Sequence, residues 1–258
     1  MPIVVAVDGG STGFAAVAVD AVTGDLAASV TLPNVTETTS PADRRLGRSE
    51  WDATAMAALA RRCLRELTGR LGDRARDVVG VGLTGQQHGV VVVDRDLRPL
   101  TPFIGWQDRR GDEPCPGTGQ TWARRAAELA GPESRHRTGC RLATGYAVVT
   151  LFWLRETGNL PPAGTTCFLT DYLAATLIGR PPVTDATMAA SGGALDLGTR
   201  DWDVDVLVPL GVPRGGLADV RPSGERLGEL TATAATETGL PAVAPVIEAR
   251  RSSRCRVP

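Results

Sequence analysis

Two apolar, β-branched runs, residues 3–7 and 14–19, flank the stretch Asp8-Gly9-Gly10-Ser11-Thr12-Gly13. Runs of this kind around a glycine-rich turn predict a β-hairpin at the start of the chain. Residues 20–40 read as a further strand and a polar loop, with Gly24-Asp25 as a turn. Ser49 is placed as a helix N-cap with Asp52 three positions on. The predicted helix puts Trp51, Ala55, Leu59, Cys63, Leu67 and Leu71 on one face and ends at Gly72-Asp73. Residues 78–83 form a short buried strand, interrupted by Thr84-Gly85-Gln86-Gln87-His88-Gly89 and resumed at 90–93. Another strand follows through Phe103-Ile104-Gly105-Trp106. Helices are predicted over 121–130, over 144–157 closed by Gly158, and from Thr170 as N-cap to Ile178 with Gly179 beyond. A short helix over 201–210 precedes Gly211 and Pro213. This order predicts an α/β domain on a mixed sheet with flanking helices.

The first turn also carries chemistry. Without Cβ atoms, a glycine-rich turn lets backbone N–H groups converge on an anion, so Gly10, Ser11 and Thr12 are candidate phosphate contacts. Asp8, at the tip of the strand, is placed to hold Mg²⁺ through its waters beside a phosphate. A plain Asp-Gly hairpin without ligand fits the same residues. A P-loop needs a lysine and a following helix, and a dinucleotide fingerprint needs a helix after its glycines. This turn runs back into a strand, so neither applies.

Composition narrows the partners. The chain has 258 residues, 42% apolar and 22% charged, as an ordinary globular protein has. A net charge of −1 argues against a nucleic-acid or membrane-surface partner. Every basic residue apart from histidine is arginine, which excludes a Schiff-base or P-loop lysine. The 5 cysteines are scattered without C-x-x-C spacing, which fits reduced thiols in a cytoplasm. The chain opens on a strand and has no apolar run long enough to span a bilayer, so a cytoplasmic location without signal peptide is expected.

Several segments together resemble the N-terminal domain of the FGGY carbohydrate kinases. Asp8-Gly9-Gly10-Ser11-Thr12 resembles the family's first phosphate motif. Gly85-Gln86-Gln87-His88-Gly89 is similar to the Gly-Gln-Met-His-Gly segment of its xylulokinase and sedoheptulokinase branches. Trp106-Gln107-Asp108-Arg109-Arg110 resembles its Trp-(Asn/Gln)-Asp-x-Arg segment. Thr170-Asp171-Tyr172-Leu173, Thr184 to Ser191, Leu195-Asp196-Leu197 and Asp201-Trp202 match the later part of the domain. The resemblance implies an actin-like ATPase (ribonuclease H-like) fold, here one half of a two-domain kinase. It implies transfer of the γ-phosphoryl of MgATP to a hydroxyl of a ketose of the xylulose or sedoheptulose class, with a slight lean to sedoheptulose. Asp8 would organise metal and phosphate, and Gly10, Ser11 and Thr12 would face the phosphates. Gln87 and His88 would hydrogen-bond the sugar, while Trp106, Asp108 and Arg110 would line or brace its pocket. Asp108 and Arg110 could equally pair with each other. Asp171 and Asp185 read as helix-cap and loop carboxylates outside the site.

Two departures stand out. Phe14 and Ala15 occupy positions where the family usually has a Lys or Arg, which weakens charge stabilisation of the phosphoryl group. After Ile247 the family becomes glycine-rich and supplies its general-base aspartate, whereas this chain reads Glu248-Ala249-Arg250-Arg251 and ends at Pro258. The domain expected is therefore residues 1–246, followed by a non-family basic tail over 247–258, either from a frame break or early stop, the reading favoured, or as the solvated basic end of a genuine short protein. The C-terminal nucleotide-binding domain is expected to be absent, the chain to be inactive, and self-association to occur through the face so exposed. The competing expectation is a non-catalytic sugar-binding or interaction protein that keeps the kinase fold.

Overall fold

The computed structural model describes residues 1–248. Its first element is the expected hairpin, β1 (Ile3–Gly9) and β2 (Gly13–Asp20), followed by β3 (Leu26–Pro33). Ile3, Val5 and Val7 of β1 are fully buried while Val4 and Asp8 face outward, the period of two that a strand with one packed face requires. Helix α1 (Ala53–Leu71) crosses back and leads to β4 (Val78–Gly85), which lies parallel to β1.

Asp52, not Ser49, caps α1, its Oδ1 accepting the Ala55 N–H at 3.0 Å. Glu50–Trp51 is a short strand instead of the first helical turn. The buried face of α1 is wider than one stripe: Met56, Ala60 and Leu64 join Cys63 and Leu67, while Ala55 is half-buried. They pack on Val5, Val7, Phe14, Ala16 and Val30 of the sheet. Each large aliphatic side chain so buried contributes about 1.5–3 kcal/mol.

Strand β5 (Val90–Val93) does not resume β4 in the same sheet. The intervening turn throws the chain into a second, four-stranded sheet, where β5 pairs antiparallel with β6 (Thr165–Phe168) and with Phe103–Ile104. Helices α2 (Trp122–Ala130) and α3 (Ala147–Glu156) pack beside it, and Trp122 meets Phe152 edge-on at 5.6 Å. Helix α3 starts later than predicted because Gly145 sits at φ 86°, a left-handed conformation that cannot extend a right-handed helix.

Helix α4 (Leu169–Ile178) has Phe168, not Thr170, at its N-cap. Its first turn is closed by Asp171, whose Oδ2 accepts the Phe168 N–H at 2.8 Å. Strand β7 (Val183–Asp185) leads into helix α5 (Ala186–Ser191). The predicted 201–210 helix is instead strand Asp201–Trp202 and a single turn, Val204–Leu207, capped by Asp203. Strand β8 (Asp219–Arg221) then pairs parallel with β7. Strand β9 (Arg226–Glu229), helix α6 (Ala232–Thr238) and strand β10 (Pro245–Glu248) finish the described chain.

The main sheet has the order β9-β10-β4-β1-β2-β3, with β10, β4 and β1 parallel and the outer strands antiparallel. It is the expected mixed sheet with flanking helices. Ile247 and Glu248 pair with Gly82 and Leu83, so the sheet includes the first two residues of the stretch expected as a tail. The rest of that stretch, 249–258, lies outside the described residues.

Candidate functional site

The carboxyl ends of β1 and β4 lie side by side, with Asp8 opposite Thr84 and Gly9 opposite Gly85. Their approach requires the glycines: a Cβ on Gly85 would stand 2.8 Å from the Gly9 carbonyl oxygen. The hairpin turn closes through Gly10 N–H to the Gly13 carbonyl at 2.9 Å. Asn34 then staples it, donating from N to the Thr12 carbonyl and from Nδ2 to the Gly10 carbonyl, each at 3.0 Å. Asp8 is exposed, and its carboxylate makes no hydrogen bond among the described residues; nor do the Ser11 and Thr12 hydroxyls. Three polar side chains without protein partners on a backbone stapled in place form a turn whose polar groups remain available to a ligand.

These residues fit a phosphate with a hydrated divalent metal. Mg²⁺ keeps several waters and takes one or two carboxylates with the phosphates, which asks for Asp8 alone from this turn. Among the described residues no group of three or more His, Cys, Asp and Glu gathers to hold a metal directly. Phe14 is fully buried and supplies no charge here.

From Gly9 the site continues across one hydrogen bond. The Gln86 N–H donates to the Gly9 carbonyl at 2.8 Å. Gln87 and His88 follow at once on the wall of a cavity of about 890 Å³. His88 holds a left-handed backbone at φ 69°, uncommon for a residue with a Cβ, and two contacts to Ser191 keep it there. Its N–H donates to Ser191 Oγ at 3.2 Å, and its Nδ1 lies 2.5 Å from the Ser191 carbonyl. A carbonyl only accepts, so Nδ1 carries the proton and Nε2 of the neutral ring is an acceptor. Tyr146 packs edge-on against the ring at 4.9 Å. An acceptor of fixed orientation beside an aromatic edge is suited to hold a hydroxyl group.

Trp106, Asp108 and Arg110 sit apart from that cavity. Asp108 is buried and its carboxylate is fully engaged: Oδ2 accepts Ser49 N–H at 2.8 Å and Oδ1 accepts Arg110 N–H at 2.9 Å. Arg110 completes the pair with Nε to Oδ1 at 2.7 Å and Nη2 to Oδ2 at 2.9 Å, and reaches Glu50 Oε1 at 2.6 Å. Burial alone would lower the Arg110 pKa, but the Asp108 and Glu50 contacts more than reverse it and hold it above its usual range. The guanidinium also lies over the Trp153 ring, 5.0 Å from its centroid. Of the two roles open to these residues, the geometry favours the brace. Trp106 is 47% exposed and does not line the cavity; its main chain is pressed against Gly145, one residue before Tyr146.

The sequence did not single out Gln86. It is buried, yet neither atom of its side-chain amide has a hydrogen-bond partner among the described residues. A buried unpaired amide is destabilising by about 1–3 kcal/mol unless water or a ligand meets it, and it sits between the hairpin turn and His88. The only available signal was its place in the same Gly-Gln segment. Asp185 does what was expected of it, capping α5 by accepting the Met188 N–H at 2.8 Å.

Comparison with known proteins identifies the fold and its family. The model of the FGGY family of carbohydrate kinases, N-terminal domain, matches residues 3–251. A glycerol kinase of Nocardia farcinica is 32% identical over 201 residues, 73% of this chain and 38% of the relative. An apulose kinase of Pectobacterium atrosepticum is 30% identical over 260 residues, 95% of this chain and 48% of the relative. The crystal structure of xylulose kinase from Rhodospirillum rubrum superposes with a TM-score of 0.82 at 27% identity, covering 96% of this chain and 48% of that one. The chain thus spans between about a third and a half of the relatives it matches. The shared fold is the actin-like ATPase fold, as the resemblance implied. No described helix is long and apolar enough to cross a membrane. With the family model matched over residues 3–251, the chain belongs to the FGGY family of carbohydrate kinases.

Proposed function

We propose that this chain forms the substrate-binding half of an ATP-dependent carbohydrate kinase acting on a ketose or related polyol. The carrying observation is the Gln86 N–H to Gly9 carbonyl bond of 2.8 Å, which puts the lip of the cavity one residue from the phosphate turn. In this reading His88 Nε2 accepts a substrate hydroxyl, and the Gln87 main chain or side chain holds a second. Asp8 orients the waters of a divalent metal, Mg²⁺ being the proposed ion, and Gly10, Ser11 and Thr12 meet the phosphates of ATP. Phosphoryl transfer depends mainly on positioning and charge neutralisation, and these residues supply both. Asp108 and Arg110 hold the neighbouring loop. The xylulose or sedoheptulose class is favoured by the Gly85-to-Gly89 segment, with glycerol as the comparison substrate.

Thermal melts with D-xylulose, sedoheptulose and glycerol, each at about 10 mM, test the reading. A dissociation constant of about 1 mM would stabilise the fold by about 1.4 kcal/mol. That is a rise in Tm of about 3–5 °C for a domain of this size. Melts that superimpose for all three ligands would refute the assignment of the cavity.

A further inference from the structure

The far wall of the cavity is positively charged. Besides Gln87 and His88 it is lined by Arg200, Arg221 and Ser223, together with Leu195, Leu197 and Val220. Among the described residues no carboxylate lines it. Arg200 and Arg221 are exposed, and neither makes an ion pair among the described residues. Arg137, by contrast, pairs with Asp203, and Arg214 with Asp201 and Asp219.

The nearby carboxylates are already occupied. Asp185 is buried and accepts from Thr187 N–H, Met188 N–H, the Thr187 hydroxyl and the Ser223 hydroxyl. Asp196 accepts the Gly198 and Thr199 amides at 2.8 and 2.9 Å. The fold fixes the backbone of both arginines: Arg221 ends β8, in register with Asp185 of β7. Arg200 holds a left-handed backbone, φ 57°, with its N–H on the Asp196 carbonyl at 2.8 Å.

We propose that the substrate bound here carries an oxyanion, a carboxylate or a phosphate, at the end away from the hydroxyl held by His88. The proposal rests on the kinase reading above and adds a specificity to the same cavity. Guanidiniums hold carboxylate and phosphate oxygens through paired N–H donors, and charge-assisted bonds of this kind are about twice as strong as neutral ones. His88 reads a hydroxyl, and Arg200 and Arg221 read the charged end.

The test is calorimetric titration of the chain at low salt with three probes of equal carbon number: D-xylulose, D-xylonate and D-xylulose 1-phosphate. At least one charged probe is expected to bind about ten- to a hundredfold more tightly than D-xylulose. The gain should shrink as salt is raised. Which charged probe gains tells carboxylate from phosphate. The gain should be lost in Arg200→Asn combined with Arg221→Gln, while D-xylulose affinity stays unchanged. Asparagine is chosen at position 200 because it tolerates the left-handed backbone. Equal binding of charged and neutral probes, or a gain that survives in the double variant, would overturn the oxyanion proposal and leave the kinase reading standing. Failure of all three probes to bind would overturn both.

Discussion

Replacing Asp108 by alanine separates a brace from a substrate contact. The carboxylate is buried on a wholly buried side chain and takes four N–H groups, from Ser49 N, Arg110 N, Arg110 Nε and Arg110 Nη2. Its removal leaves Arg110, itself 3% exposed, with Glu50 as its remaining carboxylate partner. It also strips the acceptor from two main-chain amides. Breaking a buried charge pair by deleting one partner is destabilising by about 3–5 kcal/mol. Glu50 keeps its 2.6 Å contact, which moves the expectation to the lower end, about 3 kcal/mol. For a domain of this length that is a fall in Tm of about 6–12 °C. Urea unfolding of wild type, Asp108→Ala and Asp108→Asn measures it, alongside ligand affinity at a temperature where each variant is folded. The brace predicts large loss of stability with affinity nearly intact. A variant within 1 kcal/mol of wild type that has lost its ligand would show that Asp108 lies in the site.

Gly85→Ala should destabilise the chain by about 1–3 kcal/mol, because the new Cβ meets the Gly9 carbonyl at 2.8 Å and backbone cannot step aside. It should also weaken ligand binding, since β4 positions Gln86 to His88; unchanged urea midpoint and affinity would count against the packing described. Cys63 is buried beside the Phe14 carbonyl, and burial pushes its thiol from 9.0 to about 11. Its folded pKa is above its unfolded one, so its share of stability is intact below about 9 and lost as pH climbs through about 11. Denaturant midpoints across that window should fall less steeply in Cys63→Ala than in wild type, and identical slopes would refute the account of this thiol.

The elements legible in the sequence are those whose signals are local. The hairpin was readable because β-branched runs and a glycine turn occupy adjacent residues, and the motif at Gly85 to Gly89 because its spacing is compact. The helix starts at Ala53, Leu169 and Ala147 depart from the periodicity because each is decided by a contact beyond it. Asp171 folds back onto Phe168, and Gly145 adopts a left-handed backbone beside the Trp106 carbonyl. The mutual pairing of Asp108 and Arg110 was weighed from their spacing, but Glu50 and Ser49 as its further partners were not visible. Least legible was the far wall of the cavity. Arg200, Arg221 and Ser223 lie more than a hundred positions from His88 and reach it only through β8, β7 and α5. No local pattern marks residues assembled by tertiary packing. The buried, unpaired amide of Gln86 was hidden for the same reason.

The central claim, that the cavity beside His88 receives the sugar, is tested most directly by nuclear magnetic resonance of the imidazole rings. The chain has 2 histidines, His88 on the cavity wall and His136 exposed in the Ser134–Thr138 turn, so one ring reports and the other serves as control. Titration with D-xylulose or its charged analogues should shift the His88 Cε1–H resonance in a saturable way and leave His136 in place. A saturable ligand signal elsewhere in the protein with both histidine resonances unmoved would contradict the account.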